Sequence, residues 1–204
     1  MREAIKSKYS LIRYYYTTLH DMSTKGTGTL YKPLFFEFPE DPLATQDVIN
    51  NVILRSALKL SLNASALNET STSSFYFPKG TWCRIAGNTN GETCFVSAGE
   101  VRQYPSEISD FQLHLREGFI VPMQNTSDGN FSTSVDLQKR PVDFHVLGEP
   151  TPGGWRAQGR YVNEDGVSLV SKVISYDLIA SSDFQIDHQV ISVLILKEIA
   201  GPLD

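Results

Sequence analysis

The sequence predicts a mainly-β protein in which one N-terminal helix is followed by two antiparallel β-sandwich-like domains. Three observations carry this. Apolar residues recur at helical spacing only before about residue 25. Beyond residue 42 they fall into short runs, some strictly alternating, separated by Gly, Pro, Asn and Ser. Between the two patterns lies Thr29 to Pro42, where Leu34, Phe35, Phe36 and Phe38 form a dense run closed by Pro39 and Pro42. Proline neither donates to a sheet ladder nor sits inside a helix, so it brackets such a run. This stretch reads as a hinge between two architectures, and the expected division is 1–33, 34–124 and 125–204.

The helix is expected over residues 2 to about 24. Ile5, Tyr9, Ile12, Tyr16 and Leu19 step by four, three, four and three, and Leu11 and Tyr15 widen the stripe. Gly26 and Gly28 stop it. Aromatics at this spacing usually pack, so Tyr14-Tyr15-Tyr16 is read as packing rather than as a ligand platform. A lone helix has nothing to pack on, so its stripe demands a partner surface.

Strand-like runs follow. Val52 to Leu62 mixes apolar and polar residues, and Ser74 to Phe77 leads into Pro78-Lys79-Gly80, a turn with Pro and Gly suitably placed. Thr81-Trp82-Cys83 resumes the strand. Phe111, Leu113 and Leu115 alternate with Gln112, His114 and Arg116, as on a half-buried strand. Glu117-Gly118 is a turn before Phe119-Ile120-Val121. Asn125 to Thr133 is polar and is expected to be a linker or exposed loop. Val142 to Leu147, Trp155 to Val162, Val167 to Ile179 and Phe184 to Leu196 are further strands. The sequence stops soon after the last, so the second sandwich is expected to be partial.

A formal charge of -5, with no cluster of Lys and Arg, argues against a nucleic-acid partner. No apolar run approaches the roughly 20 residues of a membrane-spanning helix. Four N-glycosylation sequons begin at Asn63, Asn68, Asn125 and Asn130. Cys83 and Cys94 flank an Asn- and Gly-containing loop suited to a turn, where they either close a disulfide or stand as two buried thiols. The sequons point to an oxidising secretory compartment and favour the disulfide. No signal peptide is visible, so the true N-terminus is expected to lie outside this sequence.

Chemistry is sparse. His20, His114, His145 and His188 have no metal-ligand spacing, and no nucleophile elbow, phosphate loop or dinucleotide fingerprint occurs. Neither cysteine is set beside a His as a nucleophile would be. The acid pairs Glu40-Asp41 and Glu164-Asp165 read as solvated turns. No catalytic residue, metal or cofactor is expected.

Several segments in order resemble the C-terminal part of family 31 glycoside hydrolases, the family of lysosomal and intestinal α-glucosidases. Arg2-Glu-Ala-Ile-Lys-Ser-Lys-Tyr-Ser-Leu-Ile, with Tyr14 and Tyr16, is similar to the family's last barrel helix. Pro33-Leu-Phe-Phe-Glu-Phe-Pro39 with Asp41 resembles its signature at the barrel's end. Tyr76-Phe-Pro-Lys-Gly-Thr-Trp82 resembles a turn of its proximal sandwich, and His114-Leu-Arg-Glu-Gly-Phe-Ile-Val-Pro122 with Gln124 a later strand pair. Gly159 to Gly166 is similar to a segment of the distal sandwich. The match covers about residues 2 to 170.

The departures are specific. The family often has Arg where Lys32 stands and Pro where Arg13 stands. Its Gly-x-Ala-Leu-Leu-x-x-Pro-Val strand is here Arg55-Ser-Ala-Leu-Lys-Leu-Ser-Leu-Asn63. The family's retaining chemistry uses two aspartates, and a retaining mechanism needs two carboxyl groups roughly 5–5.5 Å apart. The family's nucleophile motif, Trp-x-Asp-Met-Asn-Glu, precedes this region, and Asp21-Met22 does not match it. No catalytic residue carries over.

The resemblance implies a remnant of a (β/α)8 barrel, its last helix, joined to sandwiches that buttress a barrel in a parent or companion glucosidase chain. This chain alone is then expected to be inactive. The alternative is an independent, non-catalytic sandwich protein that binds carbohydrate or a protein partner, with Trp82, Tyr76, Trp155 and Tyr161 as the stacking surface. Core packing is the competing account of those rings.

Overall fold

The computed structural model describes residues 2–26, 28–46, 50–62, 72–87, 93–105, 111–126, 131, 133–163 and 172–180. It is mainly antiparallel sheet. Contacts group it into two units, one of Thr29–Glu117 and one of Arg2–Gly28 with the chain from Gly118 onward.

The helix forms as α1 (Arg2–Ser10) and α2 (Ile12–Lys25), parted only at Leu11. Leu11 keeps helical dihedrals, and the bonds Leu11 N–H to Ser7 (3.3 Å) and Tyr15 N–H to Leu11 (2.9 Å) cross the break. Gly26 ends α2 in the left-handed region (φ 65°), its N–H reaching the Met22 carbonyl at 2.9 Å. Glycine adopts that conformation without a Cβ penalty, so it is a favoured stop.

In the first unit, β1 (Tyr31–Lys32), β2 (Asn51–Leu54) and β3 (Leu58–Leu62) pair in sequence. The expected single run Val52 to Leu62 is therefore a hairpin, turned at Arg55 with φ 60°. Next come β4 (Thr72–Phe77), β5 (Gly80–Gly87), β6 (Cys94–Ser97), β7 (Glu100–Pro105) and β8 (Phe111–Arg116). Six strands form one sheet in the order β1-β2-β3-β8-β5-β6, and β4 and β7 form a second.

The two sheets close on an aromatic core that unites Phe75, Tyr76, Phe77, Trp82, Phe95 and Tyr104 with Leu34, Ala44 and Ile53. Phe77 meets Phe95 edge-to-face at 5.0 Å and Trp82 at 5.9 Å between centroids. Such pairs add to area burial about 0.5–1.5 kcal/mol each. The hinge run is not a strand. Leu34–Phe36 is a single 3-10 turn that buries Leu34 completely and leaves Phe36 exposed.

In the second unit, β9 (Phe119–Gln124) pairs with β10 (Val142–Leu147) over six register partners. The expected boundary at 124/125 thus falls between two paired strands. β11 (Glu149–Thr151), β12 (Gly154–Asn163) and β13 (Lys172–Ala180) complete a sheet in the order β10-β9-β12-β11, with β13 also on β12. β9 and β12 meet in parallel, at Phe119 and Gln158. The expected loop ends in a short helix, α3 (Ser134–Gln138), whose capping box joins Thr133 and Asp136. Ile120, Ala157 and Tyr161 form the core, flanked by Val142, Phe144, Val146 and Ile174.

Candidate functional site

Within the second unit the helix buries a face that mixes Leu11 and Tyr14, at 5% and 6% exposure, with polar side chains. Arg13, Thr17 and Asp21 are buried, at 6%, 4% and 4% exposure. Arg13 donates from Nε to Gln124 Oε1 and from a terminal nitrogen to the Gln138 carbonyl, both at 2.8 Å. Gln124 completes the network by donating to the Arg140 and Pro141 carbonyls at 2.7 and 2.9 Å. Thr17 Oγ1 accepts the Val162 N–H at 3.0 Å, and Asp21 pairs with Arg160 at 3.1 Å. Thus Arg13, Thr17 and Asp21 each meet a directional partner on β9, β12 or α3, as interior polar atoms require.

The apolar stripe lies elsewhere. Ile5, Tyr9, Tyr16 and Leu19 are 48%, 39%, 36% and 50% exposed. Tyr9 keeps an edge-on contact with Phe131 at 5.7 Å. The helix thus buries a mixed face and leaves a separate apolar row exposed, where an ordinary surface helix exposes its polar side.

The hinge segment Thr29–Pro42 carries an ionic cluster in the first unit. Glu37 accepts from Lys32 Nζ, from Ser56 Oγ at 2.8 Å and from Arg116 at 3.1 Å. Burial works to raise the Glu37 pKa, but the Lys32 and Ser56 hydrogen bonds and the charges of Lys32 and Arg116 outweigh it. Its carboxyl is therefore held below the ordinary value. Arg116 also lies 4.4 Å from the Phe38 ring centre. Asp41 caps the turn Pro42–Thr45 through the Leu43 N–H at 3.0 Å and accepts the Tyr76 hydroxyl at 2.5 Å. Burial, then the Asp41 bond, pushes the Tyr76 hydroxyl well above its usual range. Asp41 is thus a structural acceptor, while Glu40 is exposed and Glu164-Asp165 lies outside the described residues.

Cys83 and Cys94 face each other across β5 and β6 and are joined as a disulfide, with S–S 2.02 Å. Of the sequon residues, Asn63, Asn68 and Asn130 lie outside the described residues. Asn125 is half-buried; its Nδ2 donates to Asp143 at 2.9 Å and its carbonyl accepts from Arg140 at 3.1 Å. The stacking surface is not supported by burial. Trp82, Tyr76 and Tyr161 are 0%, 4% and 7% exposed, and Trp82 donates to the Pro78 carbonyl at 2.9 Å. These three rings fill cores because their neighbours are aromatic and aliphatic, and Trp155 is half-buried. Among the described residues no cluster of three or more His, Cys, Asp and Glu is placed to hold a metal.

The match that decides the family spans the seam and most of the first unit: the glycosyl hydrolase family 31 C-terminal domain, over residues 27–121. Residues 27–121 form a glycosyl hydrolase family 31 C-terminal domain. Similarity to whole relatives covers more of the chain than these residues. Lysosomal alpha-glucosidase of Mus musculus is 30% identical over 185 residues, covering 83% of this chain. The chain spans only 18% of that enzyme's length. A Flavobacterium johnsoniae family 31 dextranase superposes with a TM-score of 0.70 at 18% identity, over 89% of this chain and 21% of the dextranase. The catalytic subunit structure of ER glucosidase II gives 0.70 at 16% identity, over 87% of this chain and 18% of its own. At such identities these two structures share the fold.

The helix face was hidden from sequence reasoning because its partners are Gln124, Gln138 and Val162, more than 100 residues away. The one local signal for α3 was Thr133-x-x-Asp136, a capping-box spacing.

Proposed function

We propose that this chain is the C-terminal support of a family 31 α-glucosidase-type hydrolase whose catalytic barrel is supplied by polypeptide beyond these residues. The observation that carries the reading is the exposed row Ile5, Tyr9, Tyr16 and Leu19 on a helix already anchored by Arg13, Thr17 and Asp21. The anchored side fixes the helix on its sheet, and the apolar side is what a barrel wall would cover. The family relation supports a barrel of that kind, and retaining, two-carboxylate chemistry is what the resemblance implies for it. The disulfide and the lysosomal and ER names of its relatives support a secretory lumen.

The test is to read the coding sequence upstream of Met1 in frame. A Trp-x-Asp-Met-Asn-Glu motif there is the expected result, and an upstream stop codon with no barrel sequence overturns the reading. The isolated chain is expected to leave a chromogenic α-glucoside uncleaved. Turnover by the isolated chain would equally defeat it. The alternative, carbohydrate binding by an independent sandwich protein, requires retention of glycans by the isolated chain on an array.

A further inference from the structure

His114 stands in the first unit on the face of β8 that the aromatic core covers. It is 1% exposed. Phe77 lies edge-on at 4.8 Å, and Phe95 and Tyr104 at 5.9 Å each. The Tyr104 hydroxyl is 3.5 Å from Nε2. Nδ1 has no partner among the described residues.

The charged groups that act on this ring are all cations. Lys59 on β3 and Arg84 on β5 are its register partners on either side, and Arg102 comes from β7. Lys59 is itself fully buried; its Nζ donates to Asn51 and Ser61 and sits 3.8 Å from the Phe77 ring centre. Glu100, the acid on β7, pairs with Arg102 at 2.8 Å. From β4 and β6 the facing groups are the uncharged rings of Phe77 and Phe95.

We propose that the Lys59–His114 pair makes the first unit acid-sensitive: a proton on His114 places a second buried cation beside Lys59 in a closed aromatic interior, and the unit opens to release it. Burial first, then Lys59, Arg84 and Arg102, hold the folded His114 well below its ordinary 6.5. The sign follows directly. The folded ring stays neutral while the unfolded ring takes a proton below about pH 6.5, so stability is present above that pH and is lost as pH falls. The loss amounts to about tenfold in the folding equilibrium per pH unit until the folded value is reached. Glu37 adds its own loss only below its unfolded value of 4.5, which leaves the interval from 6.5 to 4.5 to histidine. His145, lowered by burial in the second unit, carries a linkage of the same sign but belongs to the other unit.

The test uses the full chain. Histidine-labelled NMR from pH 7.5 to 4.5 should show the His114 ring neutral for as long as the first unit is folded, its protonated signal arriving only with unfolding. Reversible titration near 6.5 with the fold intact overturns the proposal. Urea denaturation of wild type, His114→Gln and Lys59→Met, followed by the Trp82 signal, gives the second reading. The wild-type equilibrium should fall by up to about 100-fold more than that of His114→Gln between pH 6.5 and 4.5, with Lys59→Met between them. Equal slopes for wild type and His114→Gln also overturn it. Should either variant fail to fold, the wild-type NMR titration still decides.

Discussion

Arg13 on α2 donates to Gln124 at the end of β9 across 111 residues of sequence, at 2.8 Å, and both side chains are buried. A buried guanidinium is tolerated only when its donors are met. Here two are met by Gln124 and the Gln138 carbonyl, so α2, β9 and α3 are bound at one point. Arg13→Met keeps the apolar stem and removes both bonds. The expected cost is roughly 3–6 kcal/mol in the second unit, since bonds to charged groups contribute about 1.5–3 kcal/mol each. Urea unfolding followed at Trp155, with fluorotryptophan NMR separating it from Trp82, measures this.

Gly159 crosses Ile120 where β12 passes β9, and a Cβ there would lie 2.4 Å from the Ile120 carbonyl oxygen and 2.7 Å from its Cβ. Backbone cannot give way as a flexible side chain can. Gly159→Ala should therefore cost at least about 2 kcal/mol, the scale of overpacking in a filled core. A thermal midpoint unchanged by this substitution would show that the strands can part without penalty.

The exposed row on the helix predicts a separation of stability from assembly. Ile5→Lys and Leu19→Lys should change the stability of the isolated chain by no more than about 0.5 kcal/mol, as surface substitutions do. In a complete barrel-containing protein the same changes should reduce soluble yield and glucosidase activity. Activity and yield untouched by both would remove the proposed role of this face.

Glu37 sets a second pH dependence, at lower pH than His114. Its folded carboxyl lies below 4.5, so its stabilisation is present above 4.5 and is lost as pH falls through the depressed folded value. Glu37→Gln should flatten that part of the pH profile. It should also destabilise the first unit at neutral pH, because Lys32 and Arg116 lose a shared anion. Stability profiles of the variant and wild type between pH 5 and pH 2 check both effects.

Much of the fold was legible because it is local. The 3.6 period marked the helix, and alternation marked β8 and neighbouring strands. Which face each element buries was less legible. Gln112 and His114 occupy the polar positions of β8, yet both are 1% exposed, and β4 and β7 lay Phe77 and Tyr104 over His114. Likewise the apolar stripe of the helix was visible, but not that Arg13 and Thr17 would be the buried side. A hydrophobic period reports that a surface will be covered, not by which polypeptide. The hinge motif identified the family, while its 3-10 turn and ionic contacts arise from Ser56 and Arg116, 19 and 79 residues from Glu37.

The second unit is discontinuous: its helix is made first and its sheet after Glu117. On a ribosome adding about 5–20 residues per second, Arg13 waits roughly 6–22 s for Gln124 to be made. Throughout that time the nascent helix has neither its polar anchors nor the sheet of its own unit to lie on, so Arg13, Thr17 and Asp21 lack the partners that their burial requires. Slowing translation between Thr29 and Gln124 should therefore lengthen the unanchored interval of the helix, and should aggravate aggregation more than the same pause placed before Thr29.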